Sequence, residues 1–303
     1  MEGYRSRFAQ WDTQAWVRSK PRRDTAFTEG LHFFSPDLCP ALVHPAARAV
    51  NRERLLVHQL YQYLEFTVRL ETGPVNDVCL LLRSPEFLPW LPSAMRDDAL
   101  RIYTDEAGHA EMSHTLLAGV RDATGVQPLP HEPQFLRELA KLRAEETGLS
   151  EDMLTLFFVI VSETLITASL NRLPRDERVQ AQVRELAADH AADEGRHHAY
   201  FRQLFEYLWP RLPAPARRAA GVLLPRMLLA FLSPDEAAMT ASLADCGIED
   251  APAVVAEILA APETAAVVRD GARPTLRMLA ANGVFADPPV AAAFAAHGLP
   301  EES

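Results

Sequence analysis

The chain has 303 residues, 48% of them hydrophobic, and a formal net charge of −11 from 30 Lys and Arg against 41 Asp and Glu. That size and composition suffice for one large hydrophobic core, and the acidic balance argues against nucleic acid or an anionic membrane surface as a partner. Three widely separated cysteines (Cys39, Cys79 and Cys246), no apolar leader in residues 1–23, and no apolar stretch beyond Met153 to Val161 lead us to expect a cytoplasmic protein without a membrane span.

Residues 1–50 are irregular, with Phe33, Phe34, Pro36, Pro40 and Pro45 suggesting an arm that lies across the body of the protein rather than forming one. Arg52 to about Leu82 reads as the first long helix, with an inward stripe of Leu60, Tyr63, Leu64, Thr67, Glu71, Val75 and Val78. Glu71 falls on that apolar stripe, where a carboxylate is rare unless it is paired or bound to metal. Glu65 lies off the stripe and reads as a partly exposed surface acid.

After Pro85, Pro89 and Pro92, a second helix is expected from Ser93 to Thr124, carrying Asp105, Glu106 and His109. A short, charged helix follows Pro133. Ser150 then offers an N-cap for a third bundle helix, in which Leu154 to Ser162 is apolar on every side and Glu163 follows directly. A helix apolar all round is a central one, and an ionised Glu there is costly unless it meets a cation. The fourth helix is expected from near Pro174 to Leu208, with His190, Glu194 and His197 on one face at i, i+4 and i+7.

Residues 209–303 are Ala-rich and helical in pattern. No alternating apolar and polar run argues a sheet. The expected fold is all-α: a single helical domain made of the arm (1–50), a ferritin-like four-helix bundle (51–208) and a C-terminal helical extension (209–303) packed on it.

Asp105-Glu106-x-x-His109 and Asp193-Glu194-x-x-His197 repeat one pattern on two helices. With 10 His and 41 acids, one acid three residues before a His is expected about 1.4 times by chance, and two consecutive acids there about 0.2 times. Two such copies, with a lone Glu on each of two other helices, match the way four-helix bundles hold two metal ions. The candidate ligands are Glu71, Glu106, His109, Glu163, His190, Glu194 and His197. A set rich in oxygen, with imidazoles and no thiolate, suits iron or manganese rather than structural zinc. Asp105 and Asp193 remain, and each is expected to accept the outer N–H of a ligating imidazole.

Over residues 50–205 these features resemble the non-haem diiron N-oxygenases of the p-aminobenzoate N-oxygenase type. The likeness rests on the two Glu-x-x-His motifs, on the additional histidine His190 at His-x-x-x-Glu-x-x-His spacing, and on Tyr61-Gln62-Tyr63-Leu64-Glu65-Phe66-Thr67 leading to Glu71. The resemblance implies two iron ions, dioxygen as co-substrate, and oxidation of an amine to a hydroxylamine and on to nitroso or nitro products in specialised metabolism. It also implies a homodimer, and terminal binding by the three histidines, with the bridging carboxylate left open. No flavin, nicotinamide or iron–sulfur motif is present, so electrons are expected from a separate reductase or reductant.

Thr67, Tyr103 and Thr167, each one turn from a ligand on its own helix face, are candidates for lining the substrate's approach. Two other readings use the same scaffold: a diiron C–H hydroxylase or oxidase, and a ferritin-like iron-handling protein, which would ordinarily lack the third histidine.

Overall fold

A computed structural model describes residues 5–20, 26–49, 51–145, 147–165 and 168–299. The described residues are helical throughout, apart from turns and one isolated bridge between His32 and Val179. Two short helices, α1 (Trp11–Gln14) and α2 (Trp16–Ser19), lie in the N-terminal arm.

The bundle is built from α3 (Arg52–Leu70) continued by α4 (Asn76–Arg83), then α5 (Ser93–Thr124), α7 (Glu151–Thr164) and α9 (Ala181–Leu208). Between them lie α6 (Gln134–Ala144) and α8 (Ala168–Arg172). Packing closes a ring: α3 and α4 lie on α5, α5 on α9, α9 on α7, and α7 on α4. Local signals fix the helix ends. Asn51 and Ser150 accept the N–H groups of Arg54 and Met153 as side-chain caps of α3 and α7, and Gly125 at φ +70 closes α5 in the left-handed conformation.

Two boundaries differ from the sequence reading. The expected single helix from Arg52 to Leu82 is interrupted at Glu71–Val75 by a π-turn in which Gly73 leaves helical angles. The cause is Pro74, which has no N–H to donate and whose ring would meet the carbonyl of residue 70 in a regular helix. The extra residue of the turn sets the direction of Glu71 independently of α4, and such turns are frequent at functional sites. The expected start of the fourth helix near Pro174 is also displaced, to Ala181. Here Arg178 O and Gln180 N pair with the backbone of His32 at 2.8 and 2.9 Å, and Val179 N donates to Asp176 O at 2.9 Å, so residues 176–180 form a turn and a bridge against the arm instead of a helix.

The apolar core divides into two clusters along the bundle. One contains Leu55–Leu64 of α3, Met112–Val120 of α5 and Val183–Ala187 of α9. The other contains Val75–Leu82, Met95–Ile102, Leu154–Val161 and Tyr200–Leu208. On α3–α4, α5 and α9 the residues between the clusters are the buried acids and histidines, so the bundle carries a polar layer across its middle. Each fully buried Leu or Phe contributes roughly 1.5–3 kcal/mol, so the two apolar ends supply the burial that flanks this layer.

The C-terminal helices α10 (Ala214–Leu232), α11 (Glu236–Asp245), α12 (Ala251–Ala260), α13 (Pro262–Ala281) and α14 (Pro288–Ala296) pack on the bundle: α10 and α13 on α7, and α11 on α3. Thr275 of α13 donates its hydroxyl to the carbonyl of Thr164 at 2.9 Å, satisfying the end of α7 next to Glu163. No single helix among the described residues is long and apolar enough to cross a membrane.

Candidate metal centre

The polar layer gathers the ligand atoms of all seven candidate residues into two groups, each within 4.8 Å: Glu71, His109, His190 and Glu194 in one, and Glu106, Glu163, Glu194 and His197 in the other. Glu194 belongs to both. The side chains come from every wall of the bundle: Glu71 from the π-turn, Glu106 and His109 from α5, Glu163 from the last turn of α7, and His190, Glu194 and His197 from one face of α9. All but Glu194 are buried, with at most 7% exposure.

The two motifs are interlocked. His109 turns Nδ1 inward, 3.2 Å from Glu106 Oε2, and its Nε2 donates to Asp193 Oδ2 at 3.0 Å. His197 turns Nδ1 inward, 2.9 Å from Glu106 Oε1, and its Nε2 donates to Asp105 Oδ2 at 3.2 Å. Each outer aspartate therefore holds the histidine of the opposite helix, not of its own. Sequence spacing suggested aspartate–histidine pairing but gave no sign that it would cross between helices. His190 differs: Nε2 points inward, 3.0 Å from Glu71 Oε1 and 3.2 Å from Glu194 Oε1, while the buried Nδ1 has no hydrogen-bond partner.

Electrostatics favour a cation at the centre. Burial pushes Glu71 up to about 7, against the pull of His190. Burial, together with the negative charges of Glu194 and Glu106, holds Glu163 well above the usual carboxylate range. Burial alone would also raise Glu194 and lower His197, yet their attraction outweighs it, so Glu194 lies well below and His197 well above its ordinary value. The imidazolium protons are thus doing the work of positive charge.

They are not sufficient. Six carboxylates face three imidazoles and the guanidinium of Arg196, so with every group ionised negative charge would be in excess, and burial answers by favouring the protonated forms of Glu71 and Glu163. Glu71 Oε2 and Glu163 Oε2 are buried without a hydrogen-bond partner. Glu106 Oε1 also has none, although His197 Nδ1 lies 2.9 Å away. The two atoms lie close without the alignment of a hydrogen bond, an arrangement that a shared cation would satisfy. Orphaned buried oxygens, inward nitrogens and two carboxylates that burial keeps from ionising without a nearby cation together fit one or two divalent ions.

Of the residues expected near the substrate, Thr67 is buried one turn before Glu71 on α3, and Tyr103 is half-buried on α5 against the core. Neither belongs to the two ligand groups, and Thr167 lies outside the described residues. Tyr63, a member of the α3 stripe and of the Tyr61–Thr67 run, also faces the site. Its hydroxyl is buried without a partner, close enough to feel the charges of His190, Glu71 and Glu194, and burial pushes it up to about 12.

The arm reaches further than expected. Phe8 lies flat near the His197 ring (centroids 6.1 Å apart, planes at 18°), Trp11 donates to Asp105, and the backbone of Trp16 donates to Asp193. These contacts span more than 90 residues of sequence, and no local pattern marks them.

An all-α bundle whose middle layer holds two carboxylate–histidine groups sharing a glutamate defines a class of helical proteins able to hold a pair of metal ions. Comparison with known proteins narrows this. The family described as p-aminobenzoate N-oxygenase AurF matches residues 10–283, and the chain belongs to that family. It is an oxidoreductase of the N-oxygenase type. It is similar to a 4-aminobenzoate N-oxygenase of Streptomyces thioluteus, with 26% identity over 251 residues covering 80% of this chain and 75% of that one.

Proposed function

We propose that the chain is a dioxygen-dependent diiron N-oxygenase that oxidises a small aromatic or related amine to its hydroxylamine and onward to nitroso or nitro products, in a biosynthetic pathway of specialised metabolism. The observation that carries this reading is the pair of buried ligand groups joined by Glu194, in a chain of the N-oxygenase family. Glu71, His109, His190 and Glu194 would hold one iron; Glu106, Glu163, Glu194 and His197 would hold the other. Glu106, whose two oxygens face His109 and His197 separately, is the second carboxylate suited to span both ions. Bound iron would supply the electrons that reduce dioxygen, and an external reductase or small reductant would replace them.

The chain's own residues set the conditions for that chemistry. Asp105 and Asp193 fix the tautomers of His197 and His109 so that Nδ1 carries the inward lone pair, a device that also raises ligand basicity. The apolar clusters on either side exclude water, which strengthens every charge interaction in the layer. The bundle supports N over carbon chemistry only through the family, because ligands do not choose a substrate. We take the arm, bundle and extension as one domain acting in the cytoplasm as a homodimer.

Product analysis tests the reading. The iron-loaded chain, given 4-aminobenzoate and other arylamines with dioxygen and a chemical reductant, is expected to yield compounds oxidised at nitrogen. A ring-hydroxylated product with the amine intact would instead make it a C–H hydroxylase.

A further inference from the structure

Among the described residues, the arm makes contacts that reach the polar layer from outside the bundle. Trp11 is half-buried, and its indole N–H donates to Asp105 Oδ1 at 2.7 Å while the other oxygen of that carboxylate takes the N–H of His197. Five residues later the backbone N–H of Trp16 donates to Asp193 Oδ2 at 3.3 Å, the oxygen that also takes the N–H of His109. The arm therefore places one donor on each outer carboxylate. Phe8 stacks near His197, and the guanidinium of Arg196, which pairs with Asp193, lies 6.0 Å over the Phe8 ring.

A second, independent observation lies inside the first motif. A Cβ at Gly108 would sit 3.3 Å from Val17 Cβ and 3.6 Å from Trp16 Cε3, whereas one at Gly195, which stands in the second motif where the first has Ala107, would meet nothing within 4 Å. Glycine weakens a helix interior, and at Gly108 the close approach of the arm accounts for it. The motif helix and the arm are fitted to each other at the turn that carries His109.

We propose that Trp11 is a positioning residue of the metal centre, and that its indole N–H orients Asp105 and, through it, the ring of His197. The inference rests on the reading of His197 as a metal ligand. Asp105 has two oxygens and two tasks. With the indole on Oδ1, the carboxylate plane is fixed and Oδ2 faces the imidazole. Without it, a buried oxygen loses its donor, the carboxylate turns about its terminal torsion, and the imidazole is no longer held. The arm is then part of the centre, and the half of the site nearest α1 depends on it.

Trp11→Phe in the full chain keeps a ring and removes the donor. Ferrous iron affinity, measured anaerobically by competition with a chromogenic chelator, is expected to fall about tenfold for one of the two ions. In the cobalt(II)-loaded chain, the shifted exchangeable imidazole proton that His197→Gln lacks is expected to exchange faster with solvent. The unfolding midpoint of the metal-free chain reports whether the variant folds. Gly108→Ala, which keeps the indole but pushes the arm outward, is expected to speed the same exchange. Native affinity and native exchange in both variants would overturn the inference while leaving the diiron reading intact. A native chain that binds fewer than two ions would remove both.

Discussion

Asp105 on α5 accepts the outer N–H of His197 on α9 at 3.2 Å, tying one metal motif to the other across the bundle. The reverse pair, Asp193 and His109, completes the exchange at 3.0 Å. Neither helix can rotate or slide without disturbing both histidines. Asp105→Asn or Asp193→Asn should therefore weaken iron binding by about 10- to 100-fold, mainly at the ion served by the histidine of the opposite helix. Chelator competition resolves two binding steps. Weakening confined to the ion served by the histidine of the mutated helix would contradict the crossed arrangement.

His190 is held differently from the other two histidines. Its Nδ1 has no partner, so no outer carboxylate fixes its ring. Loss of this ligand should leave a site that still holds iron through the remaining carboxylates and imidazoles but handles dioxygen differently. His190→Ala is expected to retain most of its iron and to lose most of its N-oxygenation rate. Native turnover in that variant would show that the third histidine has no part in the chemistry.

The metal-free chain should become less stable as pH rises. Burial and His190 both lower His109, but its hydrogen bonds to Asp193 and Glu106 win, and it stands at about 9 against an ordinary 6.5. A group that binds its proton more tightly when folded adds stability that is complete below 6.5 and disappears as pH rises through about 9. Glu71, raised to about 7, acts in the same sense at lower pH. Denaturant midpoints of the metal-free chain should fall from pH 6.5 to 9, while iron, which displaces these protons, should bind more tightly over the same range. Stability that increased with pH would count against the protonated histidines.

The parts of this centre that were legible in the sequence are those set by local spacing. Helix periodicity puts His190, Glu194 and His197 on one face, and an apolar helix ending in Glu163 leaves that carboxylate nowhere to go but inward. The all-α fold followed from the same periodicity and from the absence of alternating runs. The π-turn was marked by Gly73-Pro74, yet the surrounding apolar stripe continued through it, and periodicity alone joined α3 to α4. The arm itself was legible from its irregular, Pro-punctuated sequence, but what it touches was not: Phe8, Trp11 and Trp16 act on residues more than 90 positions away, and a contact at that separation leaves no periodic trace. The crossing of Asp105 and Asp193 was hidden in the same way, because spacing fixes which face a residue occupies and not which helix it meets.

The central claim is that the polar layer is a site for two iron ions. Its most direct test is elemental analysis of the purified chain after anaerobic reconstitution with ferrous iron, alongside Glu163→Ala. Two irons per native chain, with the loss of at least one in the variant, is the predicted result. A native chain holding one iron or none, or a variant that keeps both, would contradict the account.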